Sequence, residues 1–387
     1  MRRVLCLLFL VSSQFVYAQD PVAVDSSLWQ AIGALQQQAS YQKPGESHLM
    51  VVGLATFGFV SSNFSQNGMT SRTNSFADAD HYEFSPMFLW RQGKHMLMEF
   101  EPSYTGGSLG VNWADISYFV APGFIARAGY FVLPFGIYNK RLAAGWIDKV
   151  ASDPYGNNMT PGSDFGVELC GGFPLGSMKW SYDISVTNGL QLMQDGTLQS
   201  AGIVDNNKNK TFTGRLGLLP LSNSSLEIGV SGLLGKVGDT TTAYQNASTN
   251  MYAVDLSYIK KIRKFLLNVK GQYSVMKVDY GSISDSTKPI NTFENKTTTA
   301  FAQVSLRPAY FSNKILKNFE VAFRYASLST PNGSSWYEET TETDYGLIYW
   351  LSWRTALKFT FEHDNSTANA AVTFVNDKIY LQFSTEL

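Results

Sequence analysis

Catalysis and metal binding need particular side chains at particular spacings, and this chain holds few of them. Its four histidines, His48, His81, His95 and His363, each fall near the end of an extended stretch. A triad needs a nucleophile beside an oriented base. His363-Asp364-Asn365 is the best candidate, but no nucleophile motif accompanies it, and a solvated loop edge accounts for it. No His/Cys pair has the spacing of metal ligands. The glycines of Tyr104-Thr105-Gly106-Gly107 lack the strand–helix context and the lysine of a phosphate-binding loop. The sequence therefore predicts no catalytic residue, metal site or cofactor, and a barrel-embedded hydrolase is the weakest functional reading.

The charged residues have a different order: many occupy every second position. From Met178 to Thr187, Met178, Trp180, Tyr182, Ile184 and Val186 form an apolar row. Lys179, Ser181, Asp183, Ser185 and Thr187 form a polar one. Side chains on a strand alternate faces, so this segment predicts a strand with one apolar and one polar face. Leu267–Val275 and Phe319–Tyr325 repeat the pattern. The C-terminal strand places Ile379, Leu381 and Phe383 on one face, with Tyr380, Gln382 and Ser384 on the other. A soluble sandwich would turn the apolar row onto a second sheet, whereas a transmembrane barrel turns it to lipid.

Composition and the ends of the chain favour the barrel. Aromatic residues make up 14% of the chain, with 20 Tyr and 26 Phe, and charged residues only 16%; soluble domains carry about 25% charged residues. Arg2, Arg3, the apolar run from Val4 to Val11 and Val16-Tyr17-Ala18 read as a cleaved secretory leader, residues 1–18. After cleavage only Cys170 remains, which predicts a packing residue and no intramolecular disulfide. The most apolar later stretch, 114–138, is interrupted by Asp115, Pro122, Arg127 and Pro134, so it predicts no membrane helix. Backbone in hydrocarbon must then close on itself as a barrel. The near-neutral net charge of −1, more negative without Arg2 and Arg3, gives no footing for nucleic acid.

Residues 19–45 precede the first strand as a periplasmic segment. Leu28, Ile32, Leu35 and Ala39 have heptad spacing there, consistent with a short self-associating helix or a frayed amphipathic one. Residues 46–387 form the barrel, an all-β, closed, antiparallel structure of about sixteen strands. An even count brings both termini to one side. Connections alternate in length. Those around 63–79, 134–163, 189–210, 238–249 and 281–297 are long and polar, and those at 92–94, 121–123, 174–175 and 260–264 are short. Short periplasmic turns and long external loops produce this rhythm. Thr105-Gly106-Gly107 is short where a long loop is due.

Arg127-Ala128-Gly129-Tyr130-Phe131-Val132-Leu133-Pro134-Phe135-Gly136-Ile137-Tyr138-Asn139 resembles the strand-to-loop signature of the phosphate-selective porin O/P family. Lys140-Arg141-Leu142 and Trp146-Ile147-Asp148-Lys149 continue in a similar vein, and Tyr345–Ser352 is a second echo. The resemblance implies a sixteen-stranded trimeric porin whose third external loop folds inward. Two departures stand out. The chain ends on Leu387 where such barrels end on an aromatic residue. The family's ladders of Arg and Lys are also missing, because the inward rows mix signs. Their bases are Arg127, Lys179, Arg215, Lys270, Arg307, Arg324 and Lys358. Their acids are Glu99, Glu101, Glu168, Asp183, Glu227, Asp255, Glu320 and Glu362.

The sequence thus predicts an outer-membrane porin for passive diffusion of small hydrophilic solutes or ions, with anions such as phosphate among the candidates. Its partners are membrane lipid, the permeant solutes and, by the resemblance, two further copies of the chain. A receptor or adhesin acting through the external loops is the alternative. Residues 134–163 are the candidate constriction, by their length, their place after the fifth strand and the resemblance to the family's inward-folding loop. They carry Lys140, Arg141 and Lys149 against Asp148 and Asp153. Their charges either bias the pore toward anions or pin the loop to wall acids such as Glu99 and Glu101.

Overall fold

The computed structural model describes residues 47–386 except 77–81, 139–147, 201, 204, 206, 242–243, 281, 284–290 and 369–371. The expected leader and the helix within 19–45 lie outside the described residues. Sixteen antiparallel strands close into a barrel. It opens with β1 (Ser47–Gln66), β2 (Glu83–Gln92), β3 (Met96–Thr105) and β4 (Ser108–Ala121). There follow β5 (Phe124–Val132), β6 (Ser163–Leu175), β7 (Met178–Thr187) and β8 (Thr211–Leu219). The next four are β9 (Leu226–Lys236), β10 (Ser248–Ile262), β11 (Phe265–Val278) and β12 (Lys296–Arg307). β13 (Phe319–Ser329), β14 (Glu338–Trp350), β15 (Thr355–Ala368) and β16 (Val372–Glu386) complete the circuit.

Each strand pairs with its sequence neighbours, and β1 closes the barrel on β16 from Leu54↔Glu386 to Gln66↔Phe374. Closure leaves no open edge, which is what satisfies every ladder amide without water. On its other side β1 serves two partners. Its first half pairs with β2, and its second half folds back on an extra strand, Met69–Phe76. The sequence reading places a loop there. Asn67 at φ 50° and Gly68 at φ 79° instead make the tight turn that Asn-Gly favours between strands. Gly106 and Gly107, both at positive φ, turn β3 into β4 and explain the short connection there.

Alternation sorts the side chains as the sequence predicts. Large apolar residues such as Leu216, Val230, Tyr252, Val254, Tyr345 and Leu381 are exposed on the outside, and their neighbours along each strand are buried inside. One outward residue differs. Tyr182 is buried, its ring among Phe124, Phe173 and Trp180, and its hydroxyl donates to the Gly123 carbonyl at 3.0 Å. Its place beside the 121–124 turn makes it part of an aromatic girdle at the barrel's end. Cys170 is buried facing inward, packed with Leu89, Leu97, Phe119 and Ile125.

Candidate functional site

The third external connection, residues 133–162, leaves β5 and runs inside the barrel. Pro134 and Gly136 give it its direction. Proline lacks an amide for the ladder, so it fits where pairing ends. Gly136 then takes φ +67°, and a Cβ there would lie 2.2 Å from Gln272 Oε1. Only glycine lets the chain turn this close to β11. Beyond the turn, backbone amides are met by side chains of the wall. Gly136 N–H donates to Ser231 Oγ at 3.0 Å. Ile137 and Tyr138 N–H donate to Gln272 Oε1 at 2.7 and 3.2 Å. Pressed against the wall, these amides are buried from water, and the wall side chains satisfy them instead.

The described residues resume against the far wall, β13–β16. Ala151 N–H donates to Thr360 Oγ1 at 3.0 Å, and its carbonyl accepts from Gln382 Nε2 at 3.1 Å. Lys358 Nζ donates to the Val150 carbonyl at 3.0 Å. Arg324 is the central anchor. It donates to the Ser152 carbonyl at 2.6 Å, Ser152 Oγ at 2.8 Å and the Asp153 carbonyl at 3.2 Å. It also pairs with Asp344 at 2.7 Å, Glu342 at 3.2 Å and Asp148 at 3.4 Å. Tyr138 OH donates to Asp153 and contacts Asp148 at 3.1 Å. Burial and these two carboxylates hold the Tyr138 hydroxyl well above its ordinary pKa, so it stays a donor.

Lys149 is buried beside Glu320 at 3.6 Å, with its ammonium 4.6 Å from the Trp350 ring centre. Burial pushes its pKa down, and Glu320 opposes the shift. This is the pinning arrangement that the sequence leaves open, with Glu320 as partner in place of Glu99 or Glu101. Lys140 and Arg141 lie outside the described residues.

The remaining predicted wall residues all face inward, in separate groups. Arg127 meets Glu168 at 2.8 Å and Glu99 and Asp115 at 3.5 Å. Arg215 binds Asp255 at 2.6 Å and Glu227 at 3.1 Å. Lys270 is buried on β11 between its cross-strand neighbours Ser257 and Gln303. Glu101 accepts from Asn112 Nδ2 at 3.3 Å. Lys179 and Arg307 sit at the barrel end opposite the third loop, where they donate to Ser224 Oγ at 2.9 Å and the Lys317 carbonyl at 2.8 Å. Sequence reasoning missed Glu83, Asp115, Glu342, Asp344 and Asp364. Strand parity was the available signal, since Glu342 and Asp344 share it with Ile348, and Asp115 shares it with Ser117.

Glu342, Asp344 and Glu362 bring carboxylate oxygens within 4.8 Å of one another, a grouping that could hold a cation. Arg324 supplies positive charge to it, and Lys378 binds Glu362 at 2.5 Å and Asp364 at 3.0 Å. Above the loop, Leu190 and Leu192 pack on Phe131, Leu133, Phe135, Leu233 and Met251. Trp336 Nε1 donates to the Asp195 carbonyl at 3.0 Å, which ties that fourth loop across the outer mouth. Of the histidines, His95 stacks on Tyr118, and His363 meets Asp377 at 2.6 Å. His48 is exposed near the start of β1, and His81 lies outside the described residues.

No protein-family model matches the chain, and no curated protein matches it in sequence. Solved structures do resemble it. The outer membrane channel DcaP of Acinetobacter baumannii is 12% identical, over 89% of this chain and 99% of that one, with a TM-score of 0.58. An anion-selective porin from Comamonas acidovorans is 12% identical, covering 88% and 100%, with a TM-score of 0.54. OprB of Pseudomonas putida, in a high-pH structure, is 10% identical, covering 93% and 97%, with a TM-score of 0.53. The fold is thus that of outer-membrane porins. At such identities, likeness speaks to architecture alone.

Proposed function

We propose that this protein is an outer-membrane porin through which small hydrophilic solutes and ions diffuse passively, without energy coupling. The observation that carries the reading is a closed barrel, apolar outside and polar inside, with the third loop hydrogen-bonded to its inner wall. Such a loop narrows a water-filled lumen while its fixed charges select what passes. Export through the leader at 1–18, a periplasmic position for 19–45 and assembly as a homotrimer belong to the same reading. They rest on the leader pattern and on the resemblance around Pro134-Phe135-Gly136.

An anion-biased constriction, with phosphate as candidate, now depends on Lys140 and Arg141, because Lys149 is engaged by Glu320. The receptor reading draws on one observation, the fourth loop tied across the outer mouth through Trp336. Purified protein in a planar bilayer separates the two. Stepwise open-channel conductance is expected, and folded protein that stays silent would overturn the porin. Replacing Lys140 and Arg141 with Gln tests the anion bias, which requires the zero-current potential in a salt gradient to move.

A further inference from the structure

Among the described residues, the bases of the inward rows are mostly buried, while some of the acids keep access to water. Arg127, Lys149, Arg215, Lys270, Arg324 and Lys358 are each 3% exposed or less. Four of them, Lys149, Lys270, Arg324 and Lys358, lie in or under the loop on the β11–β15 side. Lys378, on the same side, is engaged by Glu362 and Asp364. On the opposite wall, Ser85, Asp115 and Ser117 are buried too, but several of their neighbours keep partial access to water. Glu83 and Met87 of β2, Glu99 and Glu101 of β3, and Asn112 of β4 are all half-buried.

A bulge between β3 and β4 makes this arrangement. Glu101 pairs with Trp113, and Pro102 with Val111, so Asn112 is the extra residue. Its amide donates to Glu83 Oε1 at 3.2 Å and to Glu101 Oε1 at 3.3 Å, holding two carboxylates of different strands side by side. Bulges commonly re-aim side chains in this way. On this side of the barrel Arg127 of β5, among the described residues, is committed to Glu168, Asp115 and Glu99. Arg91 points inward farther down β2, where its Nε donates to the Gly93 carbonyl at the periplasmic turn, away from this level.

We infer that solutes pass along the β2–β4 wall and that Glu83 and Glu101, set by Asn112, make the pore prefer cations. The inference rests on the porin reading. The favoured solutes are small inorganic cations and hydrophilic organic cations. The mechanism is a fixed negative field in a narrow, low-dielectric passage, which raises the local concentration of counter-ions without a binding step.

The test is the zero-current potential of purified protein in a potassium chloride gradient. The wild type should favour potassium over chloride several-fold. Glu83→Gln and Glu101→Gln should each move the potential toward chloride, and the double variant further. Asn112→Ala should shift it without changing any charge. Heat-modifiable gel mobility shows that each variant is folded. As a second measurement, Glu101→Cys should react faster with a cationic than with an anionic methanethiosulfonate, and conductance should change on labelling. Absence of conductance in the folded wild type would defeat the porin reading itself. Chloride preference in a conducting wild type, or no shift in the Gln variants, would defeat the cation pathway and leave the porin standing.

Discussion

Arg324 holds the third loop to the wall, and replacing it should loosen the constriction. In Arg324→Met the stem length is kept and the guanidinium lost. Asp344 at 2.7 Å and Glu342 at 3.2 Å are then left buried without their counter-charge. Breaking one side of a buried ion pair costs about 3–5 kcal/mol. The loop also loses its bonds to the Ser152 carbonyl, Ser152 Oγ and the Asp153 carbonyl, each worth about 1 kcal/mol to local docking. The barrel ladder is untouched, so the strands should remain and the loop should detach intermittently. Arg324→Lys restores the charge without the planar fork and should recover only part of the loss. Reversible urea unfolding in lipid vesicles reads the free energy, and single-channel recording reads the loop as a larger, noisier current. An Arg324→Met barrel with wild-type stability and quiet wild-type conductance would refute the anchoring role.

Other substitutions probe separate parts of the structure. Gly136→Ala sets a Cβ 2.2 Å from Gln272 Oε1 at a φ of +67°, so the loop must shift; a raised conductance with an intact strand spectrum in circular dichroism is expected. Val254→Arg, at the middle of β10 and exposed on the outer face, should cost about 2–4 kcal/mol in vesicle refolding, and a null effect would place that face away from lipid. Tyr182→Phe keeps the ring cluster and removes the hydroxyl that donates to the Gly123 carbonyl, so a loss of about 1 kcal/mol is expected in the same assay.

Sixteen strands, their faces and the rhythm of loops were legible in the sequence because they depend on short-range order. A strand exposes its period of two within ten residues, as Met178–Thr187 does, and a tight turn announces itself in two or three. Asn67-Gly68 is such a turn, and it leads into the extra strand Met69–Phe76, which the sequence reading took as loop. Parity likewise gave Arg127, Arg215, Lys270, Arg324 and Lys358 their inward direction. It could not give their partners. Arg324 meets Ser152 across 172 residues of chain, and Lys358 meets Val150 across 208. Only closure of the barrel brings those positions together. The same closure decides which charges the described residues of the loop cover: they are hydrogen-bonded to β9 and β11 at one end and to β13, β15 and β16 at the other. Sequence fixes the side of the sheet on which a charge lies, through the pleat of its own strand. Whether that charge is spent on a neighbour or left facing the passage depends on a loop that enters from elsewhere in the chain, and only the tertiary structure decides it.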